Sequence, residues 1–404
     1  MNARDVVRAL TFPWCRQQVL NHIGTVEGLE NIPTEGPFVV VPNHSSYFDH
    51  FVVEFLLHAV RGTPTWFLTK QESFEKPLHR VWTEAWYGIP VNRDTPTPGT
   101  LRHIQRILAE GESLCVYPEG TRGDGGTLLP FKAGAFRFAL TGAVPVVPMG
   151  MVGANKVLAR GQKLLRNGRV DIAIGQPILP REGESKQRQA EIMAEESREA
   201  IEALIRKAEE NAAHKRGEPL GSRGAALVDA LTTAGFDEDS RLTAGALSRL
   251  EFLLRLFRRS APHNPDLEAQ SLRLLGLRAL DAKMPMKAVH ALKVRNGALK
   301  VLAADPAHKD AHYLLGRWHL AAPTFLGSSP DAAVGHFKAS AESSAPGDTR
   351  ALAGLAEAEE WAGNPEGAAD AYRRVLEETP ADHVRAVPRL DKVKKQLLLL
   401  DSRG

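Results

Sequence analysis

Short apolar runs alternate with helix-like stretches from residue 36 to about residue 180. PFVVVP (37–42), TWFLT (65–69), IPV (89–91), SLCVY (113–117), VPVVPMG (144–150) and VDIAIG (170–175) read as strands. Their Val/Ile/Leu character is continuous rather than alternating, which predicts burial on both faces of a sheet. Between them, 47–60 and 99–110 read as helices, with Gly62 and Gly111 just past their ends. Alternation of this kind predicts an α/β domain around a central sheet. Residues 184–215 combine mixed charge with high helix propensity and predict a long closing helix.

The pattern then changes. RGEPLGSRG (216–224) has the Gly/Pro content of a boundary, and no strand-like run follows it. Three segments are expected: an α/β domain at 1–215, a helical linker region at 216–265, and an all-α region at 266–404. In the last segment Pro346 and Pro380 lie 34 residues apart and each closes an amphipathic stretch. Pro306 closes a similar one 40 residues before Pro346, the surplus fitting a longer loop at 322–330. A 34-residue helix–turn–helix period resembles tetratricopeptide repeats. Leu355, Ala356, Ala368, Tyr372 and Pro380 supply the large, small, small, aromatic and proline positions of that pattern. Leu315, Gly316 and Phe337 form an approximate second copy, and Glu359 departs from the pattern where an aromatic is usual. An ordinary helical bundle is the alternative.

Composition narrows the class. At 404 residues, 43% hydrophobic and 25% charged, the chain can build more than one core. A net charge of +3 does not argue for nucleic acid. Cys15 and Cys115 lie far apart and fit no metal spacing, so reduced thiols in a cytoplasmic protein are expected. No apolar run reaches the ~18–20 residues of a membrane span. The best candidate, FVVEFLLHAV, carries Glu54 and His58. The N-terminus has apolar Val6, Val7, Leu10 and Phe12 to Trp14 beside Arg4, Arg8 and Arg16. It reads either as a surface-lying segment or as a packed helix, and Pro13 is expected to break a long amphipathic one.

PNHSSYFDH (42–50) places His44 five residues before Asp49. On a continuous helix these side chains would diverge by about 140°. On a strand they would lie roughly 16 Å apart. They meet only if the chain turns between them, and Ser45 and Ser46 favour such a turn. One reading is a capping box, with Ser46 as N-cap and Asp49 three residues on. The other is catalytic: Asp49 holds one imidazole nitrogen of His44 and leaves the second free as a base. No G-x-S-x-G nucleophile elbow is present, so such a base would act on a hydroxyl of the substrate. YPEGTRG (117–123) throws Glu119, Gly120, Thr121 and Arg122 out at the end of a buried strand, where α/β folds place ligands. Lys70, Arg93 and Lys132 also follow strand-like runs or precede a helix. Each alone reads as a surface charge. Together with Arg122 and the His/Asp pair they suggest an anionic substrate.

NHSSYFD resembles the N-H-x-x-x-x-D motif of the glycerolipid (lysophosphatidate) acyltransferases. YGIPVNR resembles their second motif, YPEGTR their third with Tyr117 in place of Phe, and VPVVPMG their fourth. The four stand in the family's order and cover roughly residues 20–210. The resemblance implies an α/β acyltransferase domain with a central mixed sheet flanked by helices. It implies His44 as general base and Asp49 as its orienting partner. The activated hydroxyl would attack an acyl thioester of coenzyme A or acyl carrier protein. Arg93, Glu119, Gly120, Thr121 and Arg122 would bind the glycerol phosphate, with Lys70 and Lys132 as further cations. Val144, Pro145 and Pro148 would shape an acyl or acceptor pocket. No metal or cofactor is implied.

The expected activity is therefore acylation of lysophosphatidate to phosphatidate by a peripheral enzyme on the cytoplasmic face of a membrane. Another lysolipid or glycerol 3-phosphate as acceptor is an alternative, and so is a protein-binding scaffold with a silent acyltransferase domain. Lys156, Arg160, Lys163, Arg166 and Arg169, in a stretch without acids, are expected to attract anionic headgroups. The repeats are expected to receive a protein partner.

Overall fold

The computed structural model describes residues 2–92, 97–181, 184–214, 217–234, 242, 245–344, 347–379 and 386–401. The chain forms two compact units, Met1–Leu227 with Arg255–Pro262 and Val228–Leu254 with His263–Gly404.

The first unit is built in the order α1 (Ala3–His22), β1 (Ile23–Glu27), β2 (Phe38–Pro42), α2 (Phe48–Arg61), β3 (Thr65–Lys70), α3 (Pro77–Ala85), β4 (Gly88–Val91), α4 (Pro98–Ala109), β5 (Ser113–Cys115), α5 (Arg137–Gly142), β6 (Val146–Val152), α6 (Ala154–Val157), β7 (Val170–Ile174) and α7 (Lys186–His214). The strands make one mixed sheet in the order β1-β7-β6-β2-β5-β3-β4. Only β6 and β7 are antiparallel neighbours. Every residue of β2 is buried, as its unbroken apolar run predicts for a central strand. Ile104 and Ile107 of α4, Phe138 of α5 and Met193 and Ile201 of α7 share one core with Val39, Val41, Leu114 and Val146 of the sheet. α7 lies close on β6: a Cβ at Gly150 would sit 2.7 Å from the Ile205 nitrogen, so only glycine fits there.

Two features differ from the pattern reading. The edge strand β1 was not among the expected runs; its IGTVE pairs in parallel with β7 directly after a helix, and Gly24 just past the helix end was the one sign of the change. And α1 runs through Pro13 instead of ending at it. A mid-helix proline costs about 3 kcal/mol, so packing on both sides must hold the two halves in line. Before it, Arg8 pairs with buried Glu54 of α2 at 2.6 Å and lies over the rings of Trp86 and Tyr87. Beside and after it, Phe12 meets Phe55 and Trp86, and Cys15, Val19 and Leu20 are buried. The outward face of α1 leaves Val6, Leu10 and Trp14 exposed, and α3, which packs on α1, exposes Leu78 and Trp82.

α8 (Gly217–Ala234) and α9 (Ala246–Ser260) each contribute residues to both units. The second unit continues with α10 (Pro265–Asp281), α11 (Met286–Ala304), α12 (Lys309–Ala321), α13 (Pro330–Glu342), α14 (Arg350–Trp361), α15 (Pro365–Glu378) and α16 (Ala386–Asp401), with no strand among the described residues. Helices α10/α11, α12/α13 and α14/α15 are hairpins stacked in sequence. Four of these six helices start at side-chain caps, Asn264, His308, Ser329 and Asn364, three of them followed by proline. Phe337 lies where a Cβ on Gly316 or Gly354 would stand within 2.8 Å of its ring, so these glycines let α12 and α14 close on it. Leu355, Ala356, Ala368 and Tyr372 are buried as the repeat pattern requires. Glu359 is also buried, and Lys338 and Asn364 satisfy its carboxylate. Pro346 and Pro380 lie outside the described residues.

Candidate active site

Neighbouring parallel strands bring several loops to one end of the sheet. Val40 of β2 pairs with Cys115 of β5, and Cys115 with Phe67 of β3. The segments that follow these strands therefore emerge at the same carboxyl edge, the usual ligand edge of an open α/β sheet.

Pro42 ends β2 because it has no N–H for the ladder. Asn43 then continues the pairing with its side chain: Nδ2 donates to the Met151 carbonyl at 2.9 Å, and Oδ1 accepts from the Met151 N–H at 2.7 Å. This fixes the point at which the chain leaves the sheet, one residue before His44. The next turn carries His44 back toward α2. His44 Nδ1 lies 3.0 Å from Asp49 Oδ2. The same oxygen accepts the Ser45 and Ser46 amides at 2.7 and 2.8 Å. Asp49 is 0% exposed, and its Oδ1 is buried without a hydrogen-bond partner.

The two sequence readings of this stretch are thus combined in one carboxylate. Asp49 satisfies amides at the helix entrance and holds the imidazole. The capping box itself is not formed as expected. α2 begins at Phe48, and Ser46 Oγ accepts from the Phe48 amide, two residues on, while donating to the Leu158 carbonyl.

A carboxylate oxygen accepts, so Nδ1 carries the proton and donates, leaving Nε2 with its lone pair. The imidazole lies against the Tyr117 ring at 3.9 Å, tilted by 21°. Its side chain keeps 16% exposure, so one edge is reachable from solvent.

Glu119 secures the base from the opposite side. Its Oε1 accepts the His44 amide at 2.7 Å and its Oε2 the Leu129 amide at 3.0 Å. The Gly123 amide donates to the His44 carbonyl at 2.8 Å. Both oxygens of this buried carboxylate are therefore used within the chain, which makes Glu119 a brace and not an outward-facing ligand. Burial pushes its pKa up, against the lowering effect of the two amides. Burial also raises Tyr117 well above the ordinary phenol range.

The cations divide. Arg122 stacks 3.6 Å from the Tyr47 ring centroid, and its Nη1 is buried without a partner. Gly120 has φ 67°, a conformation that favours glycine, and the Lys132 side chain passes over it. Thr121 and Lys132 are exposed beside it. Lys70 is exposed at the end of β3, with no contact to His44 among the described residues. Arg93 lies outside the described residues.

The expected apolar pocket is not assembled as the resemblance implies. Val144 belongs to the core and precedes β6, and the half-buried Pro145 accepts from the Val39 amide. Val144 stands seven residues before Met151, the residue bonded to Asn43, a span of up to roughly 23 Å in extended chain. Val144 and Pro145 therefore stand at the opposite end of the sheet from His44. Pro148 is buried mid-sheet opposite Val41. The pattern located these three on a buried strand, but sequence spacing alone does not say which end of a strand faces the site. Asn43, Ser46 and Tyr117 act around His44 and were not singled out for these parts. The one available signal was a polar residue directly after a strand-ending proline.

The chain is similar to several known proteins. Residues 24–152 match the family model described as Acyltransferase. A chloroplastic 1-acyl-sn-glycerol-3-phosphate acyltransferase of Brassica napus, BAT2, is 34% identical over 158 residues, which is 38% of this chain and 44% of that protein. The 1-acyl-sn-glycerol-3-phosphate acyltransferase of Bacillus subtilis is 27% identical over 154 residues, 37% of this chain and 70% of that protein. The chain thus spans less than half the length of the Brassica relative. The crystal structure of the 1-acyl-sn-glycerophosphate acyltransferase PlsC from Thermotoga maritima aligns over 53% of this chain and 85% of its own, with 26% identity and a TM-score of 0.41.

Proposed function

We propose that the chain is an O-acyltransferase that moves a fatty acyl group from a thioester to the free hydroxyl of 1-acylglycerol 3-phosphate. The observation that carries this reading is the 3.0 Å contact between His44 Nδ1 and Asp49 Oδ2, with the imidazole partly open at the carboxyl edge of the sheet. His44 Nε2 takes the proton of the acceptor hydroxyl as its oxygen forms a bond to the thioester carbon. The resulting imidazolium is held by Asp49. The tetrahedral centre then expels the thiolate, and the proton on Nε2 passes to the leaving sulfur. Acid–base assistance of this kind contributes about 10²–10⁴-fold.

Arg122 supplies the charge for the acceptor's phosphate, with an unpaired guanidinium nitrogen on the loop that Glu119 ties to His44. Thr121 and Lys132 flank it. Glu119 acts through position, keeping the His44 backbone fixed. The acyl donor is a thioester of coenzyme A or of acyl carrier protein.

No described helix is long and apolar enough to cross a membrane. The reading puts the enzyme at a membrane surface on the exposed apolar groups Val6, Leu10 and Trp14 of α1 and Leu78 and Trp82 of α3. The basic stretch 156–169 exposes Leu164 among its cations.

The test is product analysis by mass spectrometry with a panel of lysolipids and both donor types, for the wild type and His44→Ala. Phosphatidate from the wild type and a loss of at least a hundredfold in the variant are expected. Turnover of a different lysolipid alone would replace the acceptor. No turnover of any lysolipid would overturn the reading.

A further inference from the structure

The hairpins of the second unit have two sides. Helix α12 packs against α10 and α14 as well as against its sequence neighbours, and no comparable contact joins α11 to α13 or α13 to α15. α10, α12 and α14 therefore form one layer, and α11, α13 and α15 the outer one. The outer helices should be polar where they meet solvent. Two of them are. α13 exposes Asp331, Lys338 and Glu342, and α15 exposes Glu366, Asp370, Arg373, Arg374 and Glu377, with both signs mixed.

α11 breaks this rule. Its inward side is occupied by Val294, Ala298 and Val301. Its outward side carries Met286, Val289, Leu292 and Leu299, with Met286 50% and Leu292 42% exposed. Leu280 and Met284, just before it, are more exposed still. No Asp or Glu occurs between Asp281 and Asp305, while Lys283, Lys287, Lys293, Arg295 and Lys300 all do. Lys283, Lys287, Lys293 and Lys300 are exposed around the apolar stripe; Arg295 lies over Trp318.

We infer that the outer face of α11 docks on an anionic lipid bilayer, with its apolar stripe entering the interface and its lysines meeting headgroup phosphates. A helix on the outer layer suits a broad, flat surface better than an inserted peptide, which the inner layer would receive. An apolar stripe bordered by cations and free of acids is the chemistry of an interfacial helix. Each lysine near a charged bilayer strengthens partitioning about fivefold. The inference extends the proposed function by giving the helical unit a part in membrane attachment, and it stands or falls independently of catalysis.

The experiment is cosedimentation of the full chain with vesicles of phosphatidylglycerol and phosphatidylcholine, and with vesicles of phosphatidylcholine alone. The wild type is expected to bind the anionic vesicles and to lose binding as salt rises. Lys283→Gln, Lys287→Gln and Lys293→Gln together should weaken partitioning on the order of a hundredfold. Leu292→Glu with Leu299→Glu should weaken it comparably. Arg374→Gln, on the outer face of α15, should change it less than about twofold. As a second readout, a polarity-sensitive dye on Leu292→Cys should shift to the blue with anionic vesicles; both native cysteines are buried. Circular dichroism confirms that the variants fold. Unchanged partitioning in both α11 variants, or a dye that stays in water, overturns the inference and leaves a soluble acidic protein as the occupant. Absence of acyl transfer in the wild type would sink the proposed function and leave the vesicle result standing.

Discussion

The loop after β2 and the helical hairpins bury opposite kinds of residue. Around His44 the buried positions are polar: Asn43, Ser45, Ser46, Asp49 and Glu119. Around Phe337 between the hairpins they are apolar or small, with Gly316 and Gly354 closing on its ring and Ala333 and Ala356 beside it, and the charged Glu359 is buried there only with Lys338 and Asn364 on its carboxylate. A buried polar group is costly unless it is hydrogen-bonded, so a cluster of them persists where each fixes the position of something else. A stack of small and large apolar groups needs only complementary shape. The first region is organised to hold one imidazole, the second to hold helices together.

The sharpest way to break this comparison is His44→Ala. It should reduce turnover by about 10²–10⁴-fold while the melting temperature barely moves, because the imidazole is partly exposed and fills no core. A steady-state assay paired with thermal unfolding reads both. A large fall in stability would mean that the polar cluster is architecture like the hairpins.

Phe337→Ala is the converse. It should cost about 3–5 kcal/mol in urea unfolding of the second unit, with turnover of a soluble short-chain lysolipid unchanged. Gly354→Ala should act in the same direction at about 1–3 kcal/mol, since the new methyl would meet the Phe337 ring.

Glu119→Gln tests positioning. The amide keeps one acceptor but turns its NH2 toward a backbone N–H, so one buried donor loses its partner, at about 1–3 kcal/mol. The rate constant kcat should fall about tenfold or more as His44 shifts, while KM changes little. If KM rises and kcat holds, Glu119 touches substrate after all.

The smallest effect concerns acid. Glu27 of β1 is buried, which pushes its pKa up, but hydrogen bonds from Lys207, Asn211 and Arg223 outweigh burial and hold it below the ordinary carboxylate value. A depressed folded pKa contributes stability above the unfolded pKa and loses it as pH falls through the folded one. Chemical denaturation at stepped pH should show the wild type losing stability through that acid range. Glu27→Gln should lack this component; a parallel slope in both would show that the cluster adds nothing.

Much of the fold could be read from pattern. Six runs of the sheet, the closing helix and the all-helical second half follow from periodicity, because burial on one or two faces leaves a direct trace in residue order. β1 left no alternation, since five buried residues after a helix look like its continuation apart from Gly24. Pro13 misled for a related reason: local chemistry says break, and distant partners hold the helix through it. Of the resemblance read over residues 20–210, the family model matches residues 24–152.

The sequence by itself determined which residues are available for chemistry. It set His44 and Asp49 five residues apart with turn-favouring serines between them, and an acid- and cation-bearing loop after a later strand. Only the tertiary structure decided how they are used. It put the Asp49 oxygen on three donors at once, turned Glu119 inward as a brace, and sent Val144 and Pro145 to the far end of the sheet. The reason is physical. Local backbone geometry follows from residue type and spacing. The direction in which a strand end faces, and what a buried carboxylate must satisfy, depend on partners 75 residues away in the case of His44 and Glu119.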